Sequence, residues 1–216
     1  MGFLSIPFFI LPSHYLRKPA RIWIKGIFII LKYTCNITHE VIGKQNIPDQ
    51  SVLIISKHQS AFETFALFYY FKKAIFIHKK QLFLIPIFGQ YLKKINMISI
   101  DRKGGAKTMR DMLKKTKEKV DKGFSIIIFP EGTRKKPGEK PDYKSGFVGI
   151  YNQINTQILP VAVNSGNFWP KNTFIKKPGK IIISILKVLP NDLERKDILK
   201  IIESKIEKES NRIRKI

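Results

Sequence analysis

The sequence predicts an α/β fold: a mixed, largely parallel sheet flanked by helices, with an N-terminal helical segment at a membrane interface. Three observations predict it. Short runs rich in Ile and Val alternate with helix-length segments, the pattern of buried strands joined by crossover helices. Several of these runs, such as Ser51–Ser56 and Phe124–Phe129, carry too little polarity for a solvated face, as expected where helices cover both sides of a sheet. The amino terminus departs from the alternation, with a broken apolar run followed by a broad apolar helical face.

A chain of 216 residues is long enough to bury one proper core. The pattern divides it into an anchor over residues 1–34 and an α/β domain over 35–216. In the anchor, residues 3–11 are apolar but short, and Pro7 and Pro12 break them. They lack the basic start and cleavage site of a secretory signal. Neither this run nor the next reaches the ~20 apolar residues of a spanning helix.

Over residues 20–34, at about 100° per residue, Arg21, Lys25 and Lys32 fall on one stripe. Trp23, Ile24, Ile27, Ile30 and Leu31 cover the opposite side. Such a helix suits a bilayer interface, its cations reaching lipid phosphates, and the preceding apolar run as a second anchor favours this over packing on the protein's own core.

After the anchor, Asn36–Ile42 and Ser51–Ser56 read as strands and Ala61–Phe71 as a helix. Ala74–His78 is a short strand, and an irregular stretch with Pro86 and Gly89 leads to a strand at Ile95–Ile100. Gly105–Asp121 is a charged helix and Phe124–Phe129 a buried strand. A polar loop from Pro130 to Tyr143 precedes a helix at Gly146–Asn155. Gln157–Val163 and Lys180–Val188 are strands, and Asp192–Arg212 a terminal amphipathic helix. The first and last strands are candidates for antiparallel edges.

Forty Lys plus Arg against 16 Asp plus Glu give a net charge of +24. That field attracts a polyanion: nucleic acid, anionic lipid headgroups or an acidic carrier protein. The aromatics sit in apolar runs such as Phe62–Phe71 rather than on a basic stacking platform, so nucleic acid is not the expected partner. The single cysteine, Cys35, excludes an intramolecular disulfide and a cysteine-cluster zinc site. Lys103–Thr108 lacks the spacing of a phosphate-binding loop.

Chemistry concentrates in Lys57-His58-Gln59-Ser60-Ala61-Phe62-Glu63, between a strand and a helix. Open α/β sheets bind ligands at the carboxyl ends of their strands, where this histidine stands. Glu63 falls in the helix's first turn, able to reach back and orient the imidazole as a base. The same residues also fit a capping box, Ser60 at the N-cap and Glu63 at N3. Phe129-Pro-Glu-Gly-Thr-Arg134 follows another buried strand and presents a tight turn and a guanidinium fork suited to phosphate. No Gly-x-Ser-x-Gly elbow is present, so no serine has a convincing setting as a nucleophile.

Together these segments resemble the glycerolipid acyltransferase family, typified by the 1-acylglycerol-3-phosphate acyltransferases. Its first motif, His, four residues, then an acid, is matched by His58 through Glu63, with Glu where Asp is commoner. Its Phe-Pro-Glu-Gly-Thr-Arg string stands unchanged at 129–134. Weaker elements are matched by Lys79-Lys80-Gln81-Leu82 with Pro86, by Ile98–Arg102 and by Leu159–Ala162; Gln81 replaces the usual Glu.

The resemblance implies transfer of a fatty acyl chain from acyl-CoA or acyl carrier protein to the sn-2 hydroxyl of lysophosphatidic acid, giving phosphatidic acid. Another lysolipid or glycerol 3-phosphate is the alternative acceptor. It implies His58 and Glu63 as catalytic residues. Arg134, Arg102 and Lys79 would grip phosphate, with Glu131, Gly132 and Thr133 shaping the acceptor site. No metal or cofactor is implied. The expected place is monotopic, on the cytoplasmic face of the inner membrane.

Overall fold

Ile and Val crowd the short runs between helices, and β-branched side chains favour the pleated, packed setting of a strand. The computed structural model describes residues 13–101, 105–191 and 193–216, and these runs pair there into one seven-stranded sheet. The strands are β1 (Ile37–Ile42), β2 (Leu53–Ser56), β3 (Ala74–Lys79), β4 (Ile98–Ile100), β5 (Ser125–Ile128), β6 (Ile158–Val163) and β7 (Gly179–Ile185). Their order across the sheet is β1-β7-β6-β2-β5-β3-β4.

Strands β2 to β6 all run parallel to one another. β7 pairs antiparallel with β6, and β1 pairs parallel with β7, so the first and last strands oppose the rest. Only β1 is an edge. β7 lies inside because β1 adds along its free side, Ile37 opposite Gly179 and Ile42 opposite Ser184.

Pro160 is tolerated within the central β6 for a local reason. The β6–β7 ladder ends at Val161 opposite Ile185, and beyond it the Pro160 carbonyl accepts Leu186 N–H at 3.0 Å. The chain uses an acceptor at a position where proline has no donor to offer.

The helices are α1 (Ser13–Cys35), α2 (Phe62–Tyr70), α3 (Phe88–Lys94), α4 (Gly105–Asp121), α5 (Gly146–Ile154) and α6 (Arg195–Arg214). α3 occupies the stretch expected to be irregular, and it displaces the start of the following strand. Ile95 caps α3, Asn96 turns the chain at φ 67°, and β4 begins only at Ile98.

α1 starts earlier than expected and takes Pro19 within it. Leu16, Ile24, Phe28 and Leu31 join the same core as the sheet. Arg17 donates to the carbonyls of Ala74 at 2.9 Å and Ile95 at 3.2 Å. Burial lowers its pKa to about 10. Arg21, on the basic stripe, donates from Nε to the Tyr69 carbonyl at 3.1 Å.

Ile22, Ile29, Ile30 and Tyr33 stay exposed, leaving α1 with a second, unpacked apolar side. Among the described residues no helix is long and apolar enough to cross a membrane. The apolar run 3–11 and Arg102 lie outside the described residues.

α6 closes the fold by laying Ile198, Ile202, Ile206 and Ile213, spaced along one helical face, into the core with no exposure. Asn164 fastens it, donating to the Ile213 carbonyl at 3.0 Å while accepting Ile182 N–H at 2.7 Å.

Ile206→Ala should cost about 2–5 kcal/mol of unfolding free energy in urea titration, because a fully buried side chain leaves a cavity. Ile22→Ser, on the open side of α1, should change it by no more than about 0.5 kcal/mol.

Candidate active site

Parallel pairing of β2, β5, β3 and β4 brings their carboxyl ends to one edge of the sheet. His58 follows β2, Lys79 ends β3, and residues 129–134 follow β5. Segments far apart in sequence therefore meet because of strand direction alone.

His58 Nδ1 lies 2.8 Å from Glu63 Oε1. Oε1 also accepts Gln59 N–H at 2.7 Å and Ser60 N–H at 2.6 Å, and Oε2 accepts the Ser165 hydroxyl at 2.7 Å. Glu63 is fully buried, and four donors converge on it, which is what an acceptor-only carboxylate needs away from water. With Nδ1 donating to that carboxylate, Nε2 holds the lone pair. The ring stacks on Phe129 at 3.9 Å between centroids, which fixes its plane.

The capping box is present in modified form. Glu63 satisfies Ser60 N–H as the box requires, while Ser60 Oγ accepts Phe62 N–H at 3.2 Å and α2 begins one residue later than a Ser60 cap would place it. One carboxylate both caps the turn and orients the histidine.

Glu131, which the resemblance places at the glycerol site, is buried. Its Oε2 accepts His58 N–H at 2.7 Å. Its Oε1 lies 2.8 Å from Lys57 Nζ, a contact held by charge more than by hydrogen-bond alignment. Burial pushes the Glu131 carboxyl above its ordinary 4.5, and the Lys57 ammonium pulls it back.

Lys57 is 2% exposed and also contacts Glu207 Oε1 of α6 at 2.5 Å. The Tyr143 hydroxyl donates to the same oxygen at 3.0 Å, and burial together with Glu207 drives that phenol's pKa upward. Lys135 N–H donates to the His58 carbonyl at 2.8 Å, folding the loop back over the β2 turn.

The remaining expected residues are arranged around this centre. Gly132 takes φ 66°, a left-handed conformation that glycine adopts freely. Thr133 is exposed and accepts from Lys171 Nζ at 3.2 Å. Arg134 is half-buried and enters no salt bridge among the described residues. Lys79 is exposed at the same sheet edge, in register with Ile100 of β4. Among the described residues no group of His, Cys, Asp and Glu is arranged to hold a metal ion.

The acyltransferase family profile matches residues 38–164, which include His58, Glu63, Lys79 and the 129–134 segment. The chain belongs to the acyltransferase family. It is 33% identical to the 1-acyl-sn-glycerol-3-phosphate acyltransferase of Pseudomonas aeruginosa, over 84% of this chain and 72% of that one. It is 30% identical to the chloroplastic 1-acyl-sn-glycerol-3-phosphate acyltransferase LPAT1 of Arabidopsis thaliana, over 76% of this chain but 46% of that longer one. The fold matches the crystal structure of the 1-acyl-sn-glycerophosphate acyltransferase PlsC from Thermotoga maritima, with a TM-score of 0.79, 22% identity, and coverage of 98% and 88% of the two chains.

Reading the residues in order did not single out Lys57, Gln59, Ser165 or Glu207. Gln59 accepts Gly166 N–H at 3.1 Å, so it joins the β2 turn to the turn after β6. A signal existed for Ser165, which follows the carboxyl end of the Leu159–Ala162 strand. Glu207 gave none, since it lies 150 residues from the lysine it holds.

Lys57→Met in this acyltransferase should destabilise by about 3–5 kcal/mol, because it leaves a buried carboxylate without its cation. Glu207→Gln should cost less, since Glu207 keeps 19% side-chain exposure and glutamine still offers an oxygen. Without Lys57 the Glu131 carboxyl rises further. The folded state then holds its proton more tightly than the unfolded one, so stability falls as pH climbs above 4.5. The Lys57→Met deficit in thermal unfolding should be smallest near that pH and widen toward neutrality.

Proposed function

We propose that this acyltransferase moves a fatty acyl chain from an acyl thioester to the sn-2 hydroxyl of 1-acylglycerol 3-phosphate, forming phosphatidic acid. The observation that carries the reading is the Glu63–His58 hydrogen bond at 2.8 Å, made at the sheet edge that also presents Arg134. The names of the Pseudomonas and Arabidopsis relatives support the same acceptor.

In the proposed step, His58 Nε2 takes the proton of the acceptor hydroxyl as its oxygen attacks the thioester carbonyl. Glu63 holds the ring's tautomer and stabilises the imidazolium that forms. A carbon–oxygen bond forms, the carbon–sulfur bond breaks, and the proton passes from His58 to the departing thiolate. A thioester is already activated toward an alcohol, so the step calls on a positioned base and on no cofactor.

Arg134 grips the acceptor phosphate by charge-assisted hydrogen bonds, with Lys79 adding positive charge at the same edge and Arg102 a further cation for the phosphate. Gly132 and Thr133 line the acceptor's approach. Glu131 acts through the backbone, holding His58 N–H and tying the 129–134 loop to the β2 turn. Coenzyme A and acyl carrier protein are both anionic, and a +24 chain attracts either as donor. The exposed side of α1 and the basic surface suit a monotopic seat on the cytoplasmic face of the membrane, where the lysolipid resides.

With acyl-CoA or acyl carrier protein and lysophosphatidic acid, the purified protein should yield phosphatidic acid by thin-layer chromatography. His58→Ala should lower kcat about 10²–10⁴-fold, the range of general-base assistance. Full activity in that variant would exclude the mechanism. Arg134→Met should raise KM for lysophosphatidic acid by about 10- to 100-fold, the equivalent of one charge-assisted contact. An unchanged KM would move the phosphate grip elsewhere.

A further inference from the structure

The loop between β6 and β7 displays two large apolar side chains that nothing in the fold covers. Phe174 is 95% exposed and Ile175 75% exposed. The loop is nevertheless built. Lys177 N–H closes its base on the Phe168 carbonyl at 2.8 Å, and Thr173 Oγ1 donates to the Ile175 carbonyl at 2.6 Å across the tip. Lys176 folds back over the rings of Trp169 and Phe174, with Nζ 5.0 and 5.3 Å from their centroids.

We propose that this tip is a second membrane-insertion point, with Phe174 and Ile175 entering the acyl boundary of an anionic bilayer and Lys176 and Lys177 resting among its phosphates. Two facts favour a bilayer as occupant. The first is charge: the apolar pair is flanked by lysines, the pattern that places cations at headgroup level beside a buried apolar tip.

The second is continuity with α1. Trp169 packs near Phe65 at 6.4 Å between centroids, and Phe65 packs on Trp23 of α1 at 5.7 Å. A chain of aromatic rings thus joins the loop to the helix whose outer side exposes Ile22, Ile29 and Ile30.

The loop also reaches the site. Lys171, at its base, donates to Thr133 of the 129–134 segment. An inserted tip would seat that segment at headgroup depth, where a lysolipid carries its phosphate. This purpose rests on the proposed acyl transfer; the insertion itself does not, and it is measured without turnover.

The test uses the full chain with Trp23→Phe and Trp169→Phe, carrying Phe174→Trp as its one tryptophan. Vesicles of phosphatidylcholine and phosphatidylglycerol with brominated acyl chains should quench it strongly. Unquenched fluorescence while the protein co-sediments with the vesicles would overturn the proposal. A blue shift that depends on protein concentration without lipid would overturn it in favour of a second copy of the chain.

Phe174→Ser/Ile175→Ser should weaken vesicle binding by about tenfold or more, as expected for removing two inserted apolar groups. Lys176→Gln/Lys177→Gln should weaken it roughly fivefold per lysine on anionic vesicles. Binding unchanged in both variants would contradict the assignment even if acyl transfer were intact. Absence of acyl transfer in the unaltered chain, with insertion observed, would instead count against the proposed reaction.

Discussion

The geometry of this site depends on one buried carboxylate. Glu63 sits where water cannot reach, and four donors from two segments compensate its burial: the His58 ring, the backbone of Gln59 and Ser60, and the Ser165 hydroxyl. Losing any one leaves a charged acceptor short of a partner in a low-dielectric setting, where such a loss is costly. The carboxylate therefore locks the start of α2, the turn after β2 and the turn after β6 into one arrangement. The orientation of the histidine is a product of that lock.

A second buried carboxylate acts on the same residue from the other side. Glu131 takes the His58 backbone N–H, and Lys57 neutralises it while leaning on Glu207 of α6. Glu63 governs the ring and Glu131 the backbone, so neither degree of freedom is left to the loop. The consecutive residues Lys57 and His58 thus point to opposite tasks, one anchoring into the C-terminal helix and one facing the open sheet edge. Such paired positioning suits a mechanism that asks for a well-placed base.

Much of this was legible in the residues. The alternation of apolar runs with helix-length segments was enough for an α/β sheet, and the offset from His58 to Glu63 was enough to expect their contact. The ambiguity between cap and orienting acid dissolved because one carboxylate has room for both donors. What escaped was non-local. Nothing near Lys57 in the sequence announces its partner, because Glu207 lies 150 residues along the chain. β7 reads as an edge because nothing within it reveals that β1 will pair on its other side. α3 was hidden by its brevity and by Gly89, and Ile95–Met97 looked like strand because a short apolar run does not distinguish a helix end from a ladder. α1 was read with a single apolar face, whereas the helix uses Leu16, Ile24, Phe28 and Leu31 inward and keeps a second set outside.

The central claim is that Glu63 holds His58 with Nδ1 protonated and Nε2 free to accept a proton. Nitrogen-15 NMR of the histidine-labelled protein at alkaline pH reads this directly. The account predicts a pyrrole-type Nδ1 and a pyridine-type Nε2 for His58, with the pattern lost in Glu63→Gln. A proton found on Nε2 would leave no lone pair for the acceptor hydroxyl and would contradict it.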